Sequence, residues 1–163
     1  MIKKQNGKFD SEENPVMLEN MDLSFFLIGL LSEFENRFQA EADRIFKELS
    51  WKQCFVMNCA GLFDHPPTIS ELSDLVGSSH QNIKQILLKL EKQGYVTLTP
   101  DQKDRRKLRV NRTQKAEKFG NDFYQVSVEH MDQLFQGIEK EDLQITVNTI
   151  MKLDEHLRGG FVQ

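Results

Sequence analysis

The sequence predicts a mainly α-helical fold carrying one small β-hairpin, and three observations predict it. Apolar residues recur at three- and four-residue steps through both ends of the chain, which marks amphipathic helices. A series of helix-start signals divides the middle into short helices. After them, YVTLT and KLRVN flank a turn, and in the second of these apolar and polar residues alternate, the period of a half-buried strand.

With 163 residues the chain makes one domain, or a small domain with helical extensions, and can bury a core without disulfides or metal. A composition 39% hydrophobic and 28% charged is that of an ordinary soluble protein, expected in the cytoplasm. No apolar run approaches the roughly 18 residues of a membrane span. The opening MIKKQNGKFDSEENPV is basic but lacks an apolar stretch, so residues 1–17 are expected to be a flexible polar tail and not a secretory signal.

The formal net charge of -4 hides a pattern. Residues 1–50 carry 6 basic and 10 acidic side chains, residues 51–112 carry 10 and 6, and residues 113–163 carry 5 and 9. A basic centre between acidic arms suggests a polyanionic partner for the centre alone. Its densest part is DQKDRRKLRV, where Lys103, Arg105, Arg106, Lys107 and Arg109 fall within ten residues.

From Asp22 to Leu49 the stripe Leu23, Leu27, Leu30, Phe34, Phe38, Ile45, Leu49 predicts one long helix. A small domain does not cover its length, so part of the stripe is expected to meet another chain. SWKQ, TISE and SSHQ each fit the capping box, in which a hydroxyl caps one end of a reciprocal pair and Glu or Gln closes the other. The prolines of DHPP separate the first two helices, and Gly77 separates Ile69–Val76 from the next. A short helix, a glycine turn and a longer helix make a helix-turn-helix. The longer helix sets Ile83, Ile86, Leu87 and Leu90 against a polar face and stops at Gly94. The two strands follow, with Pro100 opening the loop between them and the basic cluster at the tip and on the outer face of the returning strand. Phe119 to Leu134 and Glu141 to Leu157 predict two further helices. The organisation is therefore a tail (1–17), an N-terminal dimerisation helix (18–49), a winged helix-turn-helix core (50–112) and C-terminal dimerisation helices (113–163).

A helix after such a turn fits the major groove of double-stranded DNA. Ser78 and Ser79 sit where amides at a helix N-terminus suit a phosphate. Gln81, Asn82 and Gln85 offer donor and acceptor together, which matches adenine, and Lys84 and Lys89 suit phosphate or guanine. His80 reads as a solvated or phosphate-contacting histidine, not a pH switch. The wing cations suit a narrow, negative minor groove.

The stretch from Ser50 to about Phe119 resembles the MarR family of bacterial transcriptional regulators. The matching pieces are LSWKQCFVM, TISELSDLVGSSHQNIKQILLKLEKQGYV and the wing DQKDRRKLRVNRT, whose Asp104 and Arg106 supply the family's Asp-x-Arg. The resemblance implies an obligate homodimer held by the terminal helices and bound to a pseudopalindromic operator. It implies repression in most cases and release by a small-molecule effector, often a phenolic anion, or by an oxidant. Arg105 or Arg106 would enter the minor groove, and Asp104 would brace the wing through an ion pair. The chain departs from the family pattern at Arg112, where a leucine is usual, and at Ala116, where a glycine is usual; Arg112 could add a phosphate contact.

Other chemistry finds little support. Cys54 and Cys59 lie among apolar neighbours and read as inert core thiols, not an oxidant sensor. His65, His80, His130 and His156 lack ligand spacing, so no metal and no cofactor is expected. No catalytic constellation suggests an enzyme. Phe34, Phe38 and Trp51 fit core and dimer packing or, as an open alternative, an effector pocket. The competing function is a winged-helix module whose basic wing docks an acidic protein partner.

Overall fold

The computed structural model describes residues 4–5, 8–9 and 22–160. The chain divides after Thr113 into two compact units. Within the expected tail, β1 (Lys4–Gln5) and β2 (Lys8–Phe9) pair antiparallel. The rest of that tail, residues 18–21 of the expected first helix and residues 161–163 lie outside the described residues.

Helix α1 (Leu23–Ile45) starts where the Asp22 carboxylate accepts the Ser24 N–H at 2.8 Å. It stops at Ile45, short of the predicted Leu49. Phe46 leaves the helix at ψ 71°, which lets Leu49 turn inward and bury. Ser50 is extended (φ -69°, ψ 156°) and caps α2 (Trp51–Ala60), so no helix can run on through it. Asp43 fixes the elbow by accepting the Trp51 N–H at 2.5 Å.

The predicted capping boxes at Ser50–Gln53 and Thr68–Glu71 are both closed, and the second opens α3 (Ile69–Val76). The third is not. Gly77 adopts φ +67°, and the Ser78 N–H reaches back to the Ser73 carbonyl at 3.1 Å, so Ser78 completes the end of α3. The cap of α4 (His80–Lys92) therefore falls one residue later, on Ser79, whose hydroxyl accepts the Asn82 N–H at 3.2 Å. Ser78 instead accepts from the Asn82 side chain at 2.8 Å.

Met57 of α2, Leu72 of α3 and Ile83, Leu87 and Leu90 of α4 form the centre of the first unit, each with no exposed surface. Val96 and Val110 close it from β3 (Val96–Pro100) and β4 (Leu108–Arg112). These strands pair antiparallel with Leu98 opposite Val110 and Pro100 opposite Leu108. Pro100 is thus the last strand residue and not the first of the loop. The ladder tolerates it because the following residue, Asp101, donates its N–H to Lys107 at 2.9 Å. The other edge of β4 is occupied too: Val110 donates to the Pro67 carbonyl at 2.8 Å, and Thr68 bridges Arg109. At the base, the Tyr95 hydroxyl donates to Glu48 at 2.8 Å and the Gln53 side chain to Gln93 at 2.9 Å. These bonds fasten both ends of the α1–α2 elbow to the end of α4.

The second unit consists of α5 (Gln114–Leu134) and α6 (Lys140–Gly159), joined through Gly137 at φ +77°. Ala116 and Phe119 are the buried residues of α5, and α6 has none. No helix among the described residues is long and apolar enough to cross a membrane.

Leu87→Ala should destabilise the fold by roughly 2–5 kcal/mol in denaturant unfolding, since it empties a closed core site. Ser79→Ala should cost about 1 kcal/mol and Ser78→Ala distinctly less. The reverse order would place the α4 cap back on Ser78.

Candidate nucleic-acid interface

The sequence places the polar side of α4 and the hairpin tip on one surface, and the structure joins them across a small cleft of about 110 Å³. It is lined by His80 and Lys84 from α4, Arg106, Lys107 and Leu108 from the wing, and Thr68, Ile69 and Ser70 at the start of α3. Four predicted cationic or basic side chains thus converge on one recess. The N-terminus of α3 as a third wall was not foreseen, although the TISE capping signal marks where its amides lie.

Along α4, His80, Gln81, Asn82, Lys84, Gln85 and Lys89 are all exposed, and so is Ser79; Ser78 is half-buried. The face is held out by Ile83, Leu87 and Leu90, which pin the opposite side in the core. The helix carries Lys89 and Lys92 in its last turn, where cations complement the negative end of the dipole.

In the wing, Lys103, Arg105, Arg106 and Lys107 are exposed. Their backbone is shaped by two aspartates. One Asp101 oxygen accepts the N–H groups of Lys103 at 2.9 Å and Asp104 at 2.8 Å. Asp104 accepts the Arg106 N–H at 3.2 Å and holds its guanidinium through Nε at 2.9 Å and Nη2 at 3.2 Å. The Arg106 side chain remains 90% exposed, so it is oriented without being withdrawn.

Arg109 lies elsewhere. Strand alternation puts it with Asn111 and Thr99 on a different cleft of about 510 Å³, where the sequence predicts a free outer face. There its Nε donates to the second Asp101 oxygen at 2.6 Å and its Nη1 to the Pro66 carbonyl at 2.8 Å, with Glu71 3.5 Å away. Glu71 is itself bound by the Thr68 N–H at 2.6 Å and hydroxyl at 2.7 Å, with His65 at 3.3 Å. Asp101, Glu71 and His65 are site residues that sequence reasoning missed. A charge count sees acids only as subtracting from a basic patch. Arg112, for its part, fills the space beside Gly61 at the end of α2, and its Nε is buried without a hydrogen-bond partner among the described residues.

Of the aromatic trio, Phe38 meets Trp51 edge-on at 4.8 Å between centroids and stacks on Phe34 at 5.9 Å. Trp51, but neither phenylalanine, lines a cleft of about 310 Å³ whose other walls include Lys52, Phe55, Ile83 and Ile86. Cys54 and Cys59 are buried. Desolvation, with Asp43 nearby, pushes the Cys54 thiol up to about 12, which opposes thiolate formation. No cluster of three or more metal-binding side chains occurs among the described residues.

The arrangement is that of a winged helix-turn-helix protein with long helices on either side. Residues 62–107 match the family model for the MarR family. The fold is similar to that of solved structures of transcriptional regulators. A MarR/EmrR family regulator from Acinetobacter sp. ADP1 matches over 86% of this chain and 100% of its own, at 12% identity and TM-score 0.75. The organohalide-sensing regulator RdhR-CbdbA1625, in its 2,4-dichlorophenol-bound form, matches over 89% and 87% at 18% identity and TM-score 0.76. FabT of Streptococcus pneumoniae, in complex with DNA, matches over 85% and 99% at 20% identity and TM-score 0.62.

The acids under the wing imply an acid-sensitive wing root. Asp101 is pulled down to about 2 by the Asp104 N–H and Arg109, and Glu71 to about 2 by the Thr68 N–H and hydroxyl. Their stabilisation is fully present above the unfolded carboxylate range near pH 4 and is lost as pH falls toward 2. Asp101→Asn should flatten the stability–pH curve across that window. His65 is shifted upward, chiefly by Asp64 and then by Glu71. Its contribution is therefore present below about pH 6.5 and fades as pH rises through the shifted value, which an NMR titration of the imidazole would follow.

Proposed function

We propose that the chain is a homodimeric DNA-binding transcriptional regulator of the MarR type, in its commonest form a repressor, acting in the cytoplasm as a binding protein and not an enzyme. The observation that carries this reading is the shared recess where His80 and Lys84 of α4 meet Arg106 and Lys107 of the wing. Helix α4 enters the major groove with its N-terminal polar side chains toward base edges and the amides near Ser78 and Ser79 toward a phosphate. Gln81, Asn82 and Gln85 read bases, and Lys84 and Lys89 meet phosphate or guanine. The wing follows the backbone into the adjacent minor groove, with Arg106 presented by Asp104 and Arg105 beside it. The DNA complex of the structurally similar FabT supports this reading.

Dimerisation is supported by the apolar surface that the terminal helices leave open, including Phe25 at 75% exposure in α1 and Ile145 at 64% in α6. Release by an effector is the regulatory half of the reading. The cleft beside Trp51 suits a small aromatic molecule, and Lys52 and Glu35 at its edge form an ion pair at 3.8 Å. Because Ile83 and Ile86 belong to α4, a molecule seated there would press on the inner side of the recognition helix. The dichlorophenol-bound relative supports an effector of that size.

The test is selection of sheared genomic DNA of the source organism on the purified chain at about 0.15 M salt, near physiological screening. Enrichment of a few pseudopalindromes with half-sites about one helical turn apart is the expected outcome. Retention with no sequence preference, or of none, at several salt concentrations would count against it. On the selected operator, Arg106→Ala should weaken binding while the dimer survives sedimentation. Gln81→Ala should cost about 1–3 kcal/mol at particular base pairs, whereas a uniform loss across sequences would make Gln81 a backbone contact.

A further inference from the structure

Five cations crowd the wing, but they are not equivalent. Lys103, Arg105, Arg106 and Lys107 point into solvent, while the Arg109 side chain is 30% exposed and directs its Nε and Nη1 donors to groups of the protein. It spans three elements: Asp101 at the start of the wing turn, the Pro66 carbonyl before α3, and Glu71 within α3. The same Asp101 carboxylate shapes the turn by accepting the Lys103 and Asp104 N–H groups.

We propose that Arg109 is a positioning residue of the DNA grip: it locks the wing turn to the start of α3 through Asp101, and so sets where Arg105 and Arg106 meet the backbone, without contacting DNA itself. The inference rests on the DNA-binding reading above. Withdrawing Arg109 to reach a phosphate would break its bonds to Asp101 and Pro66. It would also leave the Asp101 carboxylate uncompensated beside a polyanion, which electrostatics disfavours. A lysine cannot replace it, since one ammonium lacks the planar fork that reaches several acceptors at once.

The decisive variant is Asp101→Asn. It keeps an oxygen to accept the two turn amides, so the turn can still form, but it removes one negative charge from beside the proposed DNA path. Pure charge counting predicts tighter binding; the positioning role predicts weaker binding. Affinity of the full-length wild type, D101N, R109K, R109M and the D101N/R109M double variant would be measured on the selected operator over a range of salt. Amide exchange at Lys103 and Asp104 would be followed without DNA. The expected result is a several-fold loss in D101N, R109K and R109M alike, with the double variant no worse than R109M. The salt slope of R109M should be unchanged and its two turn amides should exchange faster. A slope reduced by about one in R109M, with D101N neutral or tighter, would make Arg109 a phosphate contact and overturn the proposal. If the wild type retains no DNA under any condition, the DNA reading itself fails. Exchange then decides whether Arg109 holds the turn: unchanged rates in R109M refute that hold, and faster rates uphold it.

Discussion

The hairpin depends on an attachment outside itself. Two strands of five residues do not hold a fixed shape alone in water, and this pair carries four exposed cations that repel one another at its tip. What fixes it is the second edge of β4, where Val110 bonds the Pro67 carbonyl and Thr68 bridges Arg109. The prolines before α3 are therefore more than helix punctuation. Pro66 and Pro67 lack N–H groups, so their carbonyls serve Arg109 and β4 without a backbone donor of their own to satisfy. The capping box of α3 sits at the same junction, because Thr68 both caps the helix and touches the strand. One short segment, Pro66–Thr68, thus ties the start of the helix-turn-helix to the returning strand of the wing.

The basic cluster also has an internal counterbalance. Asp101, Asp104 and Glu71 lie under or beside it, and each accepts backbone N–H groups as well as facing a guanidinium or imidazole. A carboxylate that satisfies amides is held in place by local geometry, so its charge is spent on shape. That is why the segment keeps acids that a simple polyanion-binding surface would lose. Arg106 shows the benefit: one carboxylate fixes its orientation while most of the guanidinium stays in water.

Elements set by local rules were legible in the sequence. The bounds of α3 follow from a hydroxyl cap at Thr68 and a glycine stop at Gly77, and both operate within a few residues. The buried stripe of α4 follows from its period, and Ile83, Leu87 and Leu90 lie on it with no exposed surface. The departures arise where two local signals compete. Ser78 could cap α4, but closing α3 at Gly77 uses its N–H first. The stripe of α1 could run to Leu49, but the cap of α2 at Ser50 demands an extended residue. The role of Arg109 was not legible because its partners Pro66, Glu71 and Asp101 come from three separate stretches. A strand pattern says which side a residue takes, not what waits there.

The charge division along the chain matches a division of surface. The cations sit on the stretch from α2 to β4, whose apolar residues supply most of the core, whereas α1, α5 and α6 keep many apolar side chains in water within acidic stretches. Apolar surface left in water forgoes about 25 cal/mol per Å², so these helices gain wherever that surface is covered. Their acidic surroundings repel a polyanion, so the same helices are poorly suited to bind nucleic acid themselves. Charge therefore selects which face can approach DNA, and apolar surface selects which can approach protein. The bonds of Tyr95 to Glu48 and of Gln53 to Gln93 then join the elbow between α1 and α2 to the end of α4.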